Sequence, residues 1–209
     1  KYPVEQVATP EGYARNPELV INFYNERRKQ LLDVVPNAGH LGVADLERDF
    51  NVTVVTQNVD NLHERAGSTH VIHLHGELTK VCSSRDPYNP HFVKELAPEE
   101  YEVKLGDKAG DGTQLRPFIV WFGESVPEIE TAIRYVEQAD IFVIIGTSLN
   151  VYPAAGLLNY VPRAAEVYLI DPKPVDTHVM RPIHVIQKGA SEGVKELKAL
   201  LTVTQPPLP

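Results

Sequence analysis

Five apolar, largely β-branched stretches, each followed within two residues by polar residues or glycine, limit most strongly how this 209-residue chain can fold. They cover residues 52–56, 70–74, 118–121, 141–145 and 166–170, and a shorter one covers 184–186. Helical patterns alternate with several of them, as is typical of strands buried on both faces of a mostly parallel sheet. The sequence therefore predicts an α/β fold, with a parallel sheet covered by helices on both faces and a small subdomain made of insertions.

The first fifty residues carry helix signals instead of strand signals. Thr9 precedes Pro10 and Asn16 precedes Pro17, the pattern of an N-cap residue followed by proline in the first turn. Residues 80–114 have no long period and are rich in Asp, Pro, Gly and Lys, which indicates an irregular insertion. We therefore expect a small subdomain from residues 1–50 and 80–116, a Rossmann-like domain from 51–79 and 117–203, and a disordered tail at 204–209.

Composition excludes several classes of function. The formal net charge of −8 argues against nucleic-acid binding, which needs Lys and Arg to neutralise phosphates. No run of 18 apolar residues occurs and the first residues lack a secretory signal, so we expect no membrane partner. The single cysteine, Cys82, excludes an intramolecular disulfide and a multi-thiolate zinc site, and it fits a cytoplasmic location.

Ligands of open parallel sheets bind beyond the carboxyl ends of the strands, and this chain has polar groups there. Gly146, Thr147 and Ser148 follow one strand and can approach a phosphate, although a tight turn explains them equally well. Asp171 ends another strand, where it can accept from ribose hydroxyls or simply form a turn before Pro172. No G-x-G-x-x-G fingerprint follows any predicted strand.

His73 and His75 lie two residues apart on a predicted strand, and the spacing alone leaves three interpretations open. They could ligate a metal together with a third group such as Asp60, His63 or Cys82. One of them could instead act as a general base near neutral pH. Both could also be structural histidines with satisfied hydrogen bonds.

Five motifs in order resemble those of the sirtuins, the NAD-dependent protein lysine deacylases. Residues 57–67 resemble the family's Q-N-[IV]-D-x-L-H-x-x-A-G block, His75-Gly76 its H-G pair, and residues 36–40 its P-N-x-x-H element. Residues 117–124 match its P-x-[IV]-V-x-F-G-E block, and residues 146–153 match its G-T-S-x-x-V-x-P block. The resemblance implies a Rossmann-like NAD-binding domain and the transfer of acyl groups from protein lysines to ADP-ribose, with release of nicotinamide.

The resemblance also assigns roles to individual residues. It implies that His75 is the general base and that Asn58 holds the nicotinamide ribose and a water. It implies cofactor contacts by Gln57, Asn58, Val59, Asp60, Gly146, Thr147, Ser148, Asp171, Pro172, Lys173 and Ser191. It implies that the acyl-lysine substrate, a protein or peptide, is bound by Ala8, Tyr24, Arg27, Val120, Phe122, Gly123, Glu124, Val151 and Tyr152.

Two departures and one subgroup feature refine these expectations. No residues match the family's opening G-A-G-x-S segment, and Cys82 and Arg85 occupy the first two zinc-cysteine positions with no cysteine after them, so we expect no structural zinc. Tyr24 and Arg27, with Ala8 as a small residue, resemble bacterial-type members that remove succinyl or malonyl groups, because Arg27 can grip a carboxylate. The alternatives are a zinc-dependent hydrolase that uses His73 and His75, and an inactive peptide- or nucleotide-binding module.

Overall fold

The structure, a computed structural model, describes residues 1–146, 154–174 and 181–203, and the chain divides into two compact units. The first unit contains Lys1–Val35, Val55–Asn61 and His73–Glu128; the second contains Pro36–Val54, Leu62–Ile72 and the chain from Ile129 onward. This division differs from the expected one. Residues 36–50 belong to the second unit, whereas residues 55–61, 73–79 and 117–128, expected in the Rossmann-like domain, belong to the first.

The elements follow one another in this order. The helices are α1 Val4–Val7, α2 Pro10–Arg15, α3 Pro17–Leu31, α4 Ala38–Asp45, α5 Leu62–Ala66, α6 Ile129–Val136, α7 Ala154–Leu157 and α8 Ala190–Val203. The strands are β1 Val54–Thr56, β2 Val71–His73, β3 Gly76–Ser83, β4 Lys94–Glu95, β5 Leu115–Ile119, β6 Ile141–Ile145, β7 Glu166–Ile170 and β8 His184–Ile186. Single helical turns occur at Leu46–Arg48, Pro90–Phe92, Pro98–Glu100 and Leu158–Tyr160. Among the described helices, none has the length and apolar character needed to cross a membrane.

In the first unit, the two expected N-caps are confirmed. The Thr9 hydroxyl accepts from the Gly12 N–H at 2.9 Å, and the Asn16 side chain accepts from the Leu19 N–H at 3.2 Å. These bonds satisfy N–H groups that a helix start leaves without partners. Helix α3 then buries Val20 and Tyr24 against a core that belongs to this unit.

An antiparallel sheet of order β4-β3-β5 also belongs to the first unit. The expectation that the third apolar stretch joins the parallel sheet is wrong, because β5 pairs antiparallel with β3, with Val81 opposite Pro117. The sequence hid this strand pair because residues 80–83 are polar in part, although Val81, Cys82 and Ser83 are all buried. The predicted irregular insertion therefore begins inside a strand.

The insertion between β3 and β5 is closed by a fully buried serine. Ser83 Oγ donates to the Asp111 carboxylate and accepts from the main-chain N–H groups of Arg85 and Asp86. Thr113 Oγ1 donates to the other oxygen of Asp111 at 2.7 Å. Hydrogen bonds thus join the two ends of the insertion next to Cys82 and Arg85, the positions that the family resemblance assigns to zinc cysteines.

The second unit contains the expected parallel sheet, with strand order β6-β7-β8. Ile144 lies opposite Leu169, and Ile170 opposite Ile186. Helix α8 packs on this sheet so closely that a Cβ on Gly193 would lie 2.2 Å from a side-chain carbon of Ile170. Helix α4 packs on α8, which explains why residues 36–50 belong to this unit and not to the N-terminal subdomain.

Candidate active site

The loops after β1 and β2 begin at the same edge of a two-stranded sheet. The Val54 N–H donates to the His70 carbonyl at 3.0 Å, and the Leu74 N–H donates to the Thr56 carbonyl at 2.9 Å. Residue numbers rise together along both strands, so the strands are parallel and their carboxyl ends coincide. This geometry brings residues 57–61 and His75 to one edge, as the sequence predicted.

His75 combines an unpartnered ring nitrogen with a fixed main chain. Its Nε2 is buried and has no hydrogen-bond partner, while its carbonyl accepts from the Val120 N–H at 2.9 Å. Burial lowers the pKa of His75, because an imidazolium loses hydration there. At neutral pH the ring is therefore uncharged and can accept a proton.

Gly76 is the residue that this arrangement requires after His75. Its φ is +85°, and a Cβ at this position would lie 2.1 Å from the carbonyl oxygen of Phe118. Only glycine combines that backbone conformation with such a close approach. The H-G pair is thus explained by the close pairing of β3 and β5, in which Gly76 lies opposite Ile119.

His73 has protein partners on both sides of its ring. Its Nδ1 lies 3.0 Å from the Asn58 carbonyl, and its Nε2 lies 3.9 Å from the Glu77 carboxylate, which Lys80 also contacts at 2.7 Å. Burial raises the pKa of Cys82 to about 12, so this thiol is protonated at neutral pH. The geometry favours His73 as a support for the loop after β1 over the hypothesis of a His73–His75 metal site.

The loop after β1 presents two further buried polar atoms without partners, Gln57 Nε2 and Asn61 Oδ1. The loop itself is anchored, because the Asn58 N–H donates to Thr56 Oγ1 at 3.0 Å and the Val59 carbonyl accepts from the Leu78 N–H at 2.8 Å. Buried polar groups rarely lack partners in native proteins. Gln57, Asn61 and His75 therefore fit a polar ligand that supplies the missing hydrogen bonds.

Tyr24 lies at the centre of the expected acyl site, with its hydroxyl already hydrogen bonded. The hydroxyl donates to the Val7 carbonyl at 2.9 Å and accepts from the Trp121 indole at 3.1 Å. The Ala8 carbonyl accepts from the Phe122 N–H at 3.0 Å, which brings Ala8, Tyr24 and Phe122 together. Burial raises the pKa of Tyr24, and the nearby charge of Arg27 partly offsets this effect.

Arg27 is exposed, and its guanidinium carbon lies 5.8 Å from the centre of the Phe23 ring. The hydrogen bonds of the Tyr24 hydroxyl go to Val7 and Trp121 and not to Arg27, although both side chains belong to α3. Phe122 is 69% exposed and Val120 is half-buried, so both remain accessible to a substrate. Gly123, with φ of +90° and open space where a side chain would be, forms the turn that follows.

The Glu124 side chain is held by the protein itself. Both of its carboxylate oxygens accept from the Arg116 guanidinium at 3.0 Å, and one also accepts from the Tyr88 hydroxyl at 3.0 Å. Sequence reasoning missed Arg116, Tyr88 and Trp121. Arg116 directly precedes the P-x-[IV]-V block. A charged residue at the start of an apolar strand was the one sequence signal that could have indicated a buried partner for Glu124.

The second unit carries the remaining expected cofactor residues. Gly146 is exposed with φ of +66°, and, its chain neighbours aside, no atom of the described residues lies within 4 Å of the place where a Cβ would be. Asp171 accepts from the Lys173 N–H at 2.8 Å, which is the turn-forming role, while Pro172, Lys173 and Ser191 are exposed. The expected contacts of Thr147, Ser148, Val151 and Tyr152 lie outside the described residues.

Comparison with known proteins gives relatives over nearly the whole chain. An NAD-dependent protein deacylase of Bacteroides thetaiotaomicron is 84% identical over 201 residues, which are 96% of this chain and 86% of the relative. An NAD-dependent protein deacylase of Helicobacter pylori is 46% identical over 194 residues, which are 93% of this chain and 82% of the relative.

Solved structures with a similar fold include two Sir2 complexes. A Sir2 homologue in complex with NAD is 35% identical with a TM-score of 0.80, covering 97% of this chain and 79% of its own. A Sir2 complex with a p53 peptide and NAD is 25% identical with a TM-score of 0.73, covering 93% of this chain and 82% of its own. A model of the Sir2 family matches residues 1–153. The chain therefore belongs to the Sir2 family.

Proposed function

We propose that this protein removes acyl groups from lysine side chains of proteins in an NAD-dependent reaction. The observation that carries the proposal is the set of three buried, unpartnered polar atoms on Gln57, Asn61 and His75. The two deacylases that are 84% and 46% identical to this chain support the reaction class. Such a loop fits the amide and hydroxyl groups that a nicotinamide riboside presents.

We assign each of these residues a role in cofactor binding or proton transfer. Gln57 and Asn61 would hold the cofactor, together with Asn58, Val59 and Asp60 of the same loop. When bound, NAD supplies the ribose carbon that accepts the acyl oxygen as nicotinamide leaves. His75 Nε2 would accept a proton from a ribose hydroxyl, because it is uncharged at neutral pH and lacks another partner.

The experiment follows nicotinamide release and acyl-lysine loss in parallel with the full-length protein. We expect one nicotinamide for each acyl group removed, and a rate loss of about 10²–10⁴-fold for His75→Ala, which is typical of a missing general base. His91→Ala is the matched control, because His91 is exposed in the insertion and should leave the rate unchanged. Full turnover without NAD would contradict the proposal.

We further propose a preference for succinyl- and malonyl-lysine, determined mainly by Arg27. Its guanidinium is exposed and its Phe23 contact is weak enough to be exchanged for an acyl carboxylate. The Tyr24 hydroxyl, by contrast, holds Val7 and Trp121. Tyr24 therefore shapes the acyl site beside the small Ala8, and it binds a carboxylate only by releasing a main-chain carbonyl.

The acyl preference is tested by the ratio of desuccinylation to deacetylation efficiency on one peptide sequence. Arg27→Met should reduce desuccinylation by about 10- to 150-fold, the value of a charge-assisted hydrogen bond, and leave deacetylation nearly unchanged. Arg15→Met, which removes an exposed arginine from α2, is the control. An equal loss of both activities in Arg27→Met would show that Arg27 is structural.

A further inference from the structure

A buried ion pair lies next to Val120, Phe122 and Gly123, to which the family resemblance assigns substrate binding. Arg116 is 4% exposed, and its two terminal nitrogens donate to the two Glu124 oxygens at 3.0 Å each. Desolvation offsets much of the attraction in such a pair, so it contributes little to net stability. The main effect of the pair is on geometry, because two parallel hydrogen bonds fix the relative orientation of the Arg116 and Glu124 side chains.

Both members of the pair also hold the main chain around Trp121. Glu124 accepts from the Trp121 N–H at 2.8 Å, and Arg116 donates to the Ile119 carbonyl at 2.8 Å. The Arg116 guanidinium carbon lies 3.9 Å from the centre of the Trp121 ring, within the range of a cation–π contact. The chain is thus fixed on both sides of Val120.

The charges required for this arrangement are maintained at neutral pH. Burial alone would raise the pKa of Glu124, but the hydrogen bonds from Arg116 and the Trp121 N–H outweigh it and leave the pKa below its usual value. Burial would likewise lower the pKa of Arg116, and the bond to Glu124 reverses that effect. Tyr88, from the insertion, adds a hydroxyl donor to the same carboxylate.

We propose that Arg116 is a positioning residue for the acyl-lysine peptide. It acts through Glu124 and Trp121 to fix the main chain of residues 120–122. The N–H groups of these residues already have acceptors inside the protein, so the peptide main chain would donate to the Val120 and Phe122 carbonyls. The inference rests on the proposed function. According to this proposal, the Glu124 carboxylate binds Arg116 and the Trp121 N–H and does not bind the substrate. Loss of Arg116 should therefore weaken peptide binding to the same extent for every acyl group.

The test is steady-state kinetics of the full-length protein with varied peptide and varied NAD. Arg116→Lys keeps a positive charge but loses the two-point contact, so KM for the peptide should rise about 10-fold or more. The value of kcat and KM for NAD should stay within about twofold, because the lost interaction contributes equally to substrate and transition state. Acetyl and succinyl peptides should be affected by the same factor.

Two variants complete the design. Tyr88→Phe removes one donor to Glu124 and should raise KM for the peptide by a smaller factor, roughly 3- to 10-fold. Arg85→Lys changes an exposed arginine of the same insertion and should have no effect. If Arg116→Lys does not fold, Tyr88→Phe decides the question.

The positioning role is overturned if KM for the peptide stays unchanged, or if kcat and both KM values change together. If the wild-type protein itself shows no NAD-dependent acyl removal, the proposed function fails first. Anisotropy of a fluorescent acyl-lysine peptide then still tests the positioning role, because Arg116→Lys must weaken binding of that peptide while Arg85→Lys must not.

Discussion

Replacement of Gly76 by alanine is the perturbation whose effect the structure defines best. Its φ of +85° costs an alanine about 1–2 kcal/mol, the usual penalty of the left-handed region. In addition, the new Cβ would lie 2.1 Å from the Phe118 carbonyl oxygen and 2.9 Å from the Ile119 Cα. Both neighbours are main-chain atoms of β5, so no side chain can rotate away to relieve the overlap.

Forced overlap in a packed interior costs about 1–3 kcal/mol, so we expect Gly76→Ala to destabilise the protein by about 2–5 kcal/mol in total. Gly112→Ala is the matched control, because Gly112 has nearly the same φ, +81°, and nothing within 4 Å of an added Cβ. It should lose only the conformational part, about 1–2 kcal/mol. The difference between the two variants isolates the contact with β5.

Urea unfolding followed by circular dichroism gives both free energies from the midpoints and slopes. The catalytic efficiency of Gly76→Ala should fall by about 10²-fold at temperatures where it remains folded, because the shift of Gly76 also moves His75, and small displacements of catalytic groups are costly. Equal destabilisation of the two variants would show that β3 and β5 separate freely, and the explanation of the H-G pair would fail.

Other predictions concern pH, the insertion and zinc. The acid limb of kcat/KM should have its midpoint below 6.5, because burial lowers the pKa of His75 and keeps the ring uncharged to lower pH. Ser83→Ala should lower the free energy of unfolding by about 1–3 kcal/mol, because it leaves the partners of a fully buried hydroxyl unsatisfied. A chelator should leave Tm unchanged, and stoichiometric zinc by elemental analysis would contradict the expectation of no structural zinc.

Local sequence signals predicted the parts of the fold that local chemistry determines. Thr9 and Asn16 cap their helices as expected, since an N-cap needs only a side-chain oxygen and the next turn. The parallel strands 141–145 and 166–170 were predicted from continuous apolar runs. The β3–β5 pair was missed, because an antiparallel pair separated by some thirty residues leaves no local period in a strand that contains Thr79, Lys80 and Ser83.

In the candidate site, too, some residues could be placed from the sequence and others could not. His75 and Gln57 were placed correctly at one edge because the carboxyl ends of parallel strands coincide, which is a rule of topology. The role of Glu124 depends on its partner, which is Arg116. Arg116 lies eight residues before Glu124, and the sequence does not show that a turn brings the two side chains together. A carboxylate in a motif is equally compatible with a substrate contact and with a buried ion pair, and only the position of the guanidinium distinguishes them. For this reason the kinetic comparison of Arg116→Lys with Arg27→Met is informative: the first should change peptide binding for every acyl group, and the second should change the choice of acyl group alone.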